Sequence, residues 1–267
     1  MFRDSVVAGQ FYPGNREDLL AMLEEMTISP EPPTPAFGII APHAGYVYSG
    51  TVAGEVYAGV EIPDRVILLN PNHTGFGVRA GMWEHGTWRT PLGDVKIDDD
   101  LGRRLKEKAP LLQHSPKSHQ FEHSGEVQLP FIQYRNPNAK ILPICLMGLH
   151  WEDIEVLARA IAEVVKEEDG KVLVIASTDM NHFDSDDVTR DKDRHAIERI
   201  KALDAKGLIE TTRRKDVSMC GVYATAVMLF AARIYGVKDV TEVAYDTSAT
   251  YSGDTSRVVG YYGAVVR

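Results

Sequence analysis

The sequence predicts an α/β fold, one domain over residues 1–267 whose mainly parallel or mixed sheet is covered by helices on both faces. Three observations predict it. Short apolar runs of strand length alternate with amphipathic stretches of helical length. The apolar runs are nearly continuous, as in strands buried on both faces. Hydrophobic residues make up 44% of the 267, enough for a sizeable core.

The elements follow in order. Met1 to Tyr12 reads as extended and stops at Pro13-Gly14. Asn15 is a good N-cap for an apolar-periodic helix to Met26. Residues 29–35 hold four prolines, which cannot be helix and make a stiff connector. A strand over 37–41 precedes a helix near 50–60, where Gly50, Ala53, Gly54 and Ala58 allow close packing on a sheet. A strand over 65–70 leads into a Gly- and Trp-containing hairpin or loop, 75–97. Asp98 to Lys108 is an amphipathic helix with an acidic start that suits the helix dipole. A His-rich loop covers 110–128. Then come strand 140–147, helix 151–167, strand 171–177 and helix 190–206. Cys220 opens an apolar helix to about Tyr235, and Arg257 to Val266 is the last strand.

Composition excludes several functions. A formal net charge of −9 does not suit a general nucleic-acid binder, which needs a basic face. Arg213-Arg-Lys215 is the densest basic cluster and reads as a solvated helix end. No Gly-x-Gly-x-x-Gly or Walker-type loop is present. Two cysteines, Cys145 and Cys220, imply no disulfide framework. No apolar run approaches the ~20 residues of a membrane span, and no signal segment opens the chain. The expectation is a cytoplasmic protein without membrane or nucleic-acid partners; oligomeric state is left open.

The chemistry collects where strands should end. Three hydrophobic runs finish in Pro-His43-Ala-Gly-Tyr46, in Asn-Pro-Asn-His73 and in Ser-Thr-Asp179-Met-Asn-His182. In open α/β sheets ligands bind beyond the carboxyl ends of the strands. His43 and His73 hold equivalent positions on successive strands, and neighbouring strands lie about 4.8 Å apart, so a metal-ligating pair is expected. Each alone could be an idle loop histidine. Cys220, at a predicted helix start, is expected to carry a lowered pKa and to ligate as thiolate; the plainer alternative is a buried small hydrophobe, which Cys145 fits well. Asp179 could orient His182 as a general acid or base, or could simply cap a turn. His123 and Glu126, spaced i and i+3, would share a face toward a substrate, or stabilise a surface turn. His85, His114, His119, His150 and His195 read as surface or solvated-helix residues.

These motifs, with Ala-Gly-Gln-Phe-Tyr-Pro near the start, Arg-Thr-Pro-Leu-Gly-Asp94, Glu-His123-Ser-Gly-Glu126-Val-Gln-Leu-Pro and Met-Cys220-Gly, follow one another in the order of the Memo-like family, which the chain resembles over nearly its whole length. That family looks like the class III extradiol dioxygenases, which hold Fe(II) with two histidines and a carboxylate. The resemblance implies His43 and His73 as metal ligands, with Cys220 where those enzymes have the carboxylate. It implies His182 as acid/base, and Asp179, His123, Glu126 and Tyr46 about the same cleft. A thiolate is softer than a carboxylate and oxidisable, so ring cleavage does not carry over. Three functions follow as expectations. The first is a redox protein using iron or copper, with zinc the further candidate. The second is a binding module that takes a small molecule or peptide without turnover. The third is a hydrolase, with zinc-bound water or Cys220 as nucleophile.

Overall fold

Runs of Val, Ile and Leu with no polar interruption build the middle of the molecule, and helices of the expected kind cover them. The computed structural model describes residues 1–29 and 31–267; Pro30, within the expected connector, lies outside the described residues. In chain order the elements are β1 (Phe2–Arg3), α1 (Arg16–Met26), β2 (Gly38–Ala41), α2 (Tyr46–Ala58), β3 (Arg65–Pro71), β4 (Ala80–Met82), β5 (Thr87–Thr90) and β6 (Gly93–Lys96). There follow α3 (Asp99–Lys108), β7 (Gln113–His114), α4 (Pro116–His119), a 3-10 turn (Glu126–Gln128), α5 (Leu129–Arg135), β8 (Lys140–Leu146), α6 (Trp151–Glu167) and β9 (Leu173–Ser177). The last are β10 (His182–Asp184), α7 (Asp186–Lys201), α8 (Ala205–Lys215), α9 (Val222–Tyr235), β11 (Val240–Thr247), α10 (Ala249–Ser252) and β12 (Val258–Val266).

The long sheet orders its strands β10-β12-β2-β9-β3-β8-β4-β7, with β11 paired to β12. Its centre, β2, β9, β3 and β8, is parallel. β12 runs antiparallel to β2, and β4 antiparallel to β8, so the sheet is mixed. Successive strand residues point to opposite faces. Ile40, Ile67 and Leu69 enter a core roofed by α3, α6, α8 and α9, whereas Ile39, Val66 and Leu68 enter a second core with α1, α2 and α5. Both faces are therefore apolar, and each fully buried Ile or Leu contributes about 1.5–3 kcal/mol. Among the described residues no helix is long and apolar enough to cross a membrane.

Several local expectations change. The first twelve residues are extended only at β1; Gln10 and Phe11 donate back to the Val7 carbonyl and turn the chain. The 75–97 stretch divides. β4 joins the long sheet, while β5 and β6 form a hairpin in a separate three-stranded sheet with β1. The predicted helix over 190–206 is two helices: Leu203 adopts a positive φ and Asp204 caps α8 through the Gly207 N–H. The 110–128 loop ends in the 3-10 turn that leads directly into α5, and β11 adds a partly exposed strand beside β12.

Candidate metal centre

The ends of β2, β9 and β3 lie side by side, and the polar segments after them meet above the sheet. β9 is the middle strand: Ala41 pairs with Ser177, and Leu69 with Ala176. His43 and His73 are thus not on neighbouring strands, contrary to the expectation. They meet because each follows its strand end by two residues, His43 held by Ser177 at the end of β9 and His73 held by Glu122. Their ring centroids are 5.3 Å apart. His123 completes the group, its ring stacked on His73 at 4.8 Å. The three imidazoles each offer a ring nitrogen within 4.8 Å of the other two.

Hydrogen bonds fix two of the tautomers. The Ser177 hydroxyl donates to the Ser124 carbonyl at 2.8 Å, so its oxygen must accept from His43 Nδ1–H at 2.9 Å. His43 Nε2 therefore carries a lone pair, and Cys220 Sγ lies 3.3 Å from it. His73 Nδ1–H donates to Glu122 Oε1 at 2.8 Å, while the His73 backbone N–H donates to Oε2 at 2.5 Å, leaving His73 Nε2 free. A buried carboxylate behind a ligating imidazole is how metal sites fix ring orientation and raise basicity. Burial alone would raise the Glu122 pKa; hydrogen bonds from His73 and Ser124 outweigh it and bring it down to about 2. Burial pulls His43 and His123 below the usual histidine range, so both favour the neutral form that ligates.

Cys220 departs from the expectation. It precedes α9 by two residues, with Gly221 at the N-cap, and burial followed by the nearby Asp179 carboxylate pushes its thiol up rather than down. Helix-terminus stabilisation is outweighed by desolvation. Without a cation beside it, Cys220 is a thiol, which argues against its acting as a metal-free nucleophile. Gly221 permits the close seat: a Cβ there would meet Thr178 Cβ at 2.4 Å and the Ser177 carbonyl oxygen at 2.5 Å.

Asp179 also differs from its expected role. Its Oδ1 accepts the His43 backbone N–H at 2.7 Å, and burial pushes its carboxyl up. His182 is oriented instead by Ser218, whose carbonyl accepts Nδ1–H at 3.0 Å, so Nε2 is its basic atom. Asn181 ties the two loops together: its Oδ1 accepts from the Ser218 N–H and its own N–H donates to Asp193 Oδ1. Burial raises the Asp193 carboxyl from 3.8 to about 6. The raised value disfavours the folded state wherever Asp193 is ionised. Its stabilising contribution is present below pH 4 and lost as the pH rises through about 6, a change of about 3 kcal/mol. Denaturant titrations at pH 5 and pH 7 should show a little under half of this loss, about 1.3 kcal/mol, in the native protein and a much smaller change in Asp193→Asn. Equal losses in the two proteins would remove Asp193 as the source.

Two expected substrate contacts are structural. Glu126 is fully buried and faces away from His123, because Glu126 opens the 3-10 turn while His123 lies in the preceding bend. It accepts from Arg3, from the Val6 and Val7 N–H groups and from the Tyr12 hydroxyl, so it is not placed to serve as a base either. Tyr46 is 1% exposed, and its hydroxyl is spent on the Val127 carbonyl. His119, read as a surface residue, is buried, and Nε2–H donates to the Gly81 carbonyl. Glu122 is the residue the sequence reading missed. Its signal is adjacency to His123 in a segment rich in small polar residues.

The donor set suits a metal of borderline or soft character: imidazole nitrogens with fixed lone pairs and one sulfur. A family model described as "Memo-like protein" matches residues 3–265. A "MEMO1 family protein" of Methanopyrus kandleri is 40% identical over 281 aligned positions, covering 100% of this chain and 99% of its own. Another, of Sulfurisphaera tokodaii, is 40% identical with 98% of each chain covered. The crystal structure of an uncharacterized protein from Escherichia coli K12 is similar in fold, with a TM-score of 0.54 at 12% identity, covering 84% of this chain and 98% of that one.

Proposed function

This chain belongs to the Memo-like protein family, and from that premise we propose that the group around His43 is a metal-dependent redox centre. The observation that carries the proposal is the pinned pair of tautomers, His43 by Ser177 and His73 by Glu122, which turns the Nε2 atoms of both rings to ligand duty, with the Cys220 sulfur 3.3 Å from that of His43. His43, His73 and Cys220 would hold the ion, with His123 a further donor in reach. A bound iron or copper ion would supply one-electron chemistry toward O₂ or a small substrate, with zinc the redox-silent option. The chain's own residues do the rest. His73 and His123 side chains are 33% and 24% exposed, so a small molecule or a peptide side chain approaches past them. His182 offers Nε2 to take or return a proton, its orientation held by Ser218. Asp179 fixes the His43 backbone through its Oδ1.

The test is metal content and oxygen uptake of protein purified anaerobically under reducing conditions. Near-stoichiometric iron or copper is expected in the native protein, reduced in Cys220→Ser. His182→Ala should retain the metal and lose uptake. No bound metal, and no uptake after adding Fe(II), Cu(I) or Zn(II), would replace this reading with a non-catalytic binding module.

A further inference from the structure

A second cluster of imidazoles lies away from the ends of β2, β9 and β3, at the β4–β7 edge of the sheet. β4 and β7 are parallel neighbours there, with Met82 in register with His114. The chain continues from Met82 through Trp83 to Glu84 and His85, so three donor residues gather at one strand-pair end. Glu84, His85 and His114 each offer a ligand atom within 4.8 Å of the other two. The His85 and His114 rings lie nearly parallel, 5.2 Å apart.

The backbone beneath them is fixed. Trp83 is buried, and its indole N–H donates to the His85 carbonyl at 2.9 Å. The Glu84 N–H points at His114 Nδ1 at 3.4 Å, which makes Nδ1 the lone-pair atom. That same Nδ1 lies 3.9 Å from Glu84 Oε2. An ion held between Nδ1 and Oε2 would take over the lone pair that the long Glu84 N–H contact now uses. Glu84 Oε1 is taken by Lys106 Nζ at 2.5 Å, so Oε2 is the free donor. A cavity of about 800 Å³ opens beside the cluster, lined by Glu84 and His85 together with Asp99, Asp100, Arg103 and Lys106.

We propose that Glu84, His85 and His114 form a second divalent-metal site, for a zinc-class ion, independent of the centre at His43. Two imidazoles and one carboxylate oxygen suit zinc, nickel or copper over magnesium or calcium, which prefer all-oxygen sites. Lys106 sharpens that choice: it offsets the one carboxylate charge on which a hard cation would depend. Donors about 2.0–2.2 Å from an ion must sit closer together than they do here, and the exposed His85 side chain can make that adjustment.

Calorimetric titration of tag-free, metal-stripped protein with Zn²⁺ tests the site, with Mg²⁺ as the control cation. The native chain should take up an equivalent of Zn²⁺ that is lost in both His85→Ala and His114→Ala and retained in His73→Ala. Mg²⁺ should give no such binding. His85 is exposed, so His85→Ala should keep the native melting temperature without metal, which separates loss of a ligand from loss of fold. Unchanged Zn²⁺ stoichiometry in His85→Ala, or loss of all Zn²⁺ binding in His73→Ala alone, would overturn the proposal. Because the two sites respond to different substitutions, failure here leaves the reading of the His43 centre standing.

Discussion

His73→Ala is expected to empty the metal centre while the protein stays folded. His73 sits on a loop, its side chain one-third exposed, so its removal opens little buried volume. The Glu122 carboxylate loses the ring N–H but keeps the Ser124 N–H and hydroxyl and the backbone N–H of residue 73. Stability should change by no more than about 1 kcal/mol. Metal content should fall from near-stoichiometric to background, because one of the two lone pairs fixed by hydrogen bonding is gone. His43→Ala is the less clean variant. His43 is 1% exposed, and its loss strips the Ser177 hydroxyl of a donor, so fold and metal would fall together. Elemental analysis beside a melting curve decides it; a folded His73→Ala protein with its full metal content would refute the ligand assignment.

Glu126→Ala is expected to be the most damaging single change to stability, at about 3–5 kcal/mol. The side chain is wholly buried and accepts from four residues of the N-terminal segment, among them the 3% exposed Arg3 side chain. Removing it leaves Arg3 buried without its carboxylate, although Arg3 still donates to the His119 and Glu122 carbonyls. Equilibrium unfolding in urea measures the loss. A substrate-contacting glutamate, as the sequence suggested, would instead leave stability within about 0.5 kcal/mol and change only ligand affinity. A loss under about 1 kcal/mol would mean that the buried pair contributes little beyond its desolvation cost.

The parts of this molecule that the sequence makes legible are those where local pattern and tertiary role agree. β3, β8, β9 and α6 are long and apolar-periodic, and their bounds are near those expected from the sequence. His43, His73 and His182 are legible because each follows a strand by a short, recognisable turn. β11 is not, since its partly exposed Thr, Glu and Asp residues carry no strand signal without β12 beside them. The split between α7 and α8 was in reach, because Asp204 is a good N-cap inside an otherwise helical run.

Within the site, spacing misled where it presumed a helix. His123 and Glu126 were paired on i, i+3 geometry, yet the bend before Glu126 sends them to different neighbours. Tyr46 shares a motif with His43 but starts a helix and packs into the second core. The Cys220 pKa ran opposite to expectation because burial depends on packing between β9 and α9, which no local pattern reports.

The position of β9 between β2 and β3 also sets a schedule. During synthesis His43 and His73 leave the ribosome about 130 and about 100 residues before the strand that lies between their own, and Cys220 later still. Neighbours in the finished cleft are strangers in the nascent chain, since long-range parallel pairing has to wait for its last partner. The donor set is therefore completed only after translation has passed residue 220. Any ion held by the whole donor set is taken up late, once the chain has been made past its last donor.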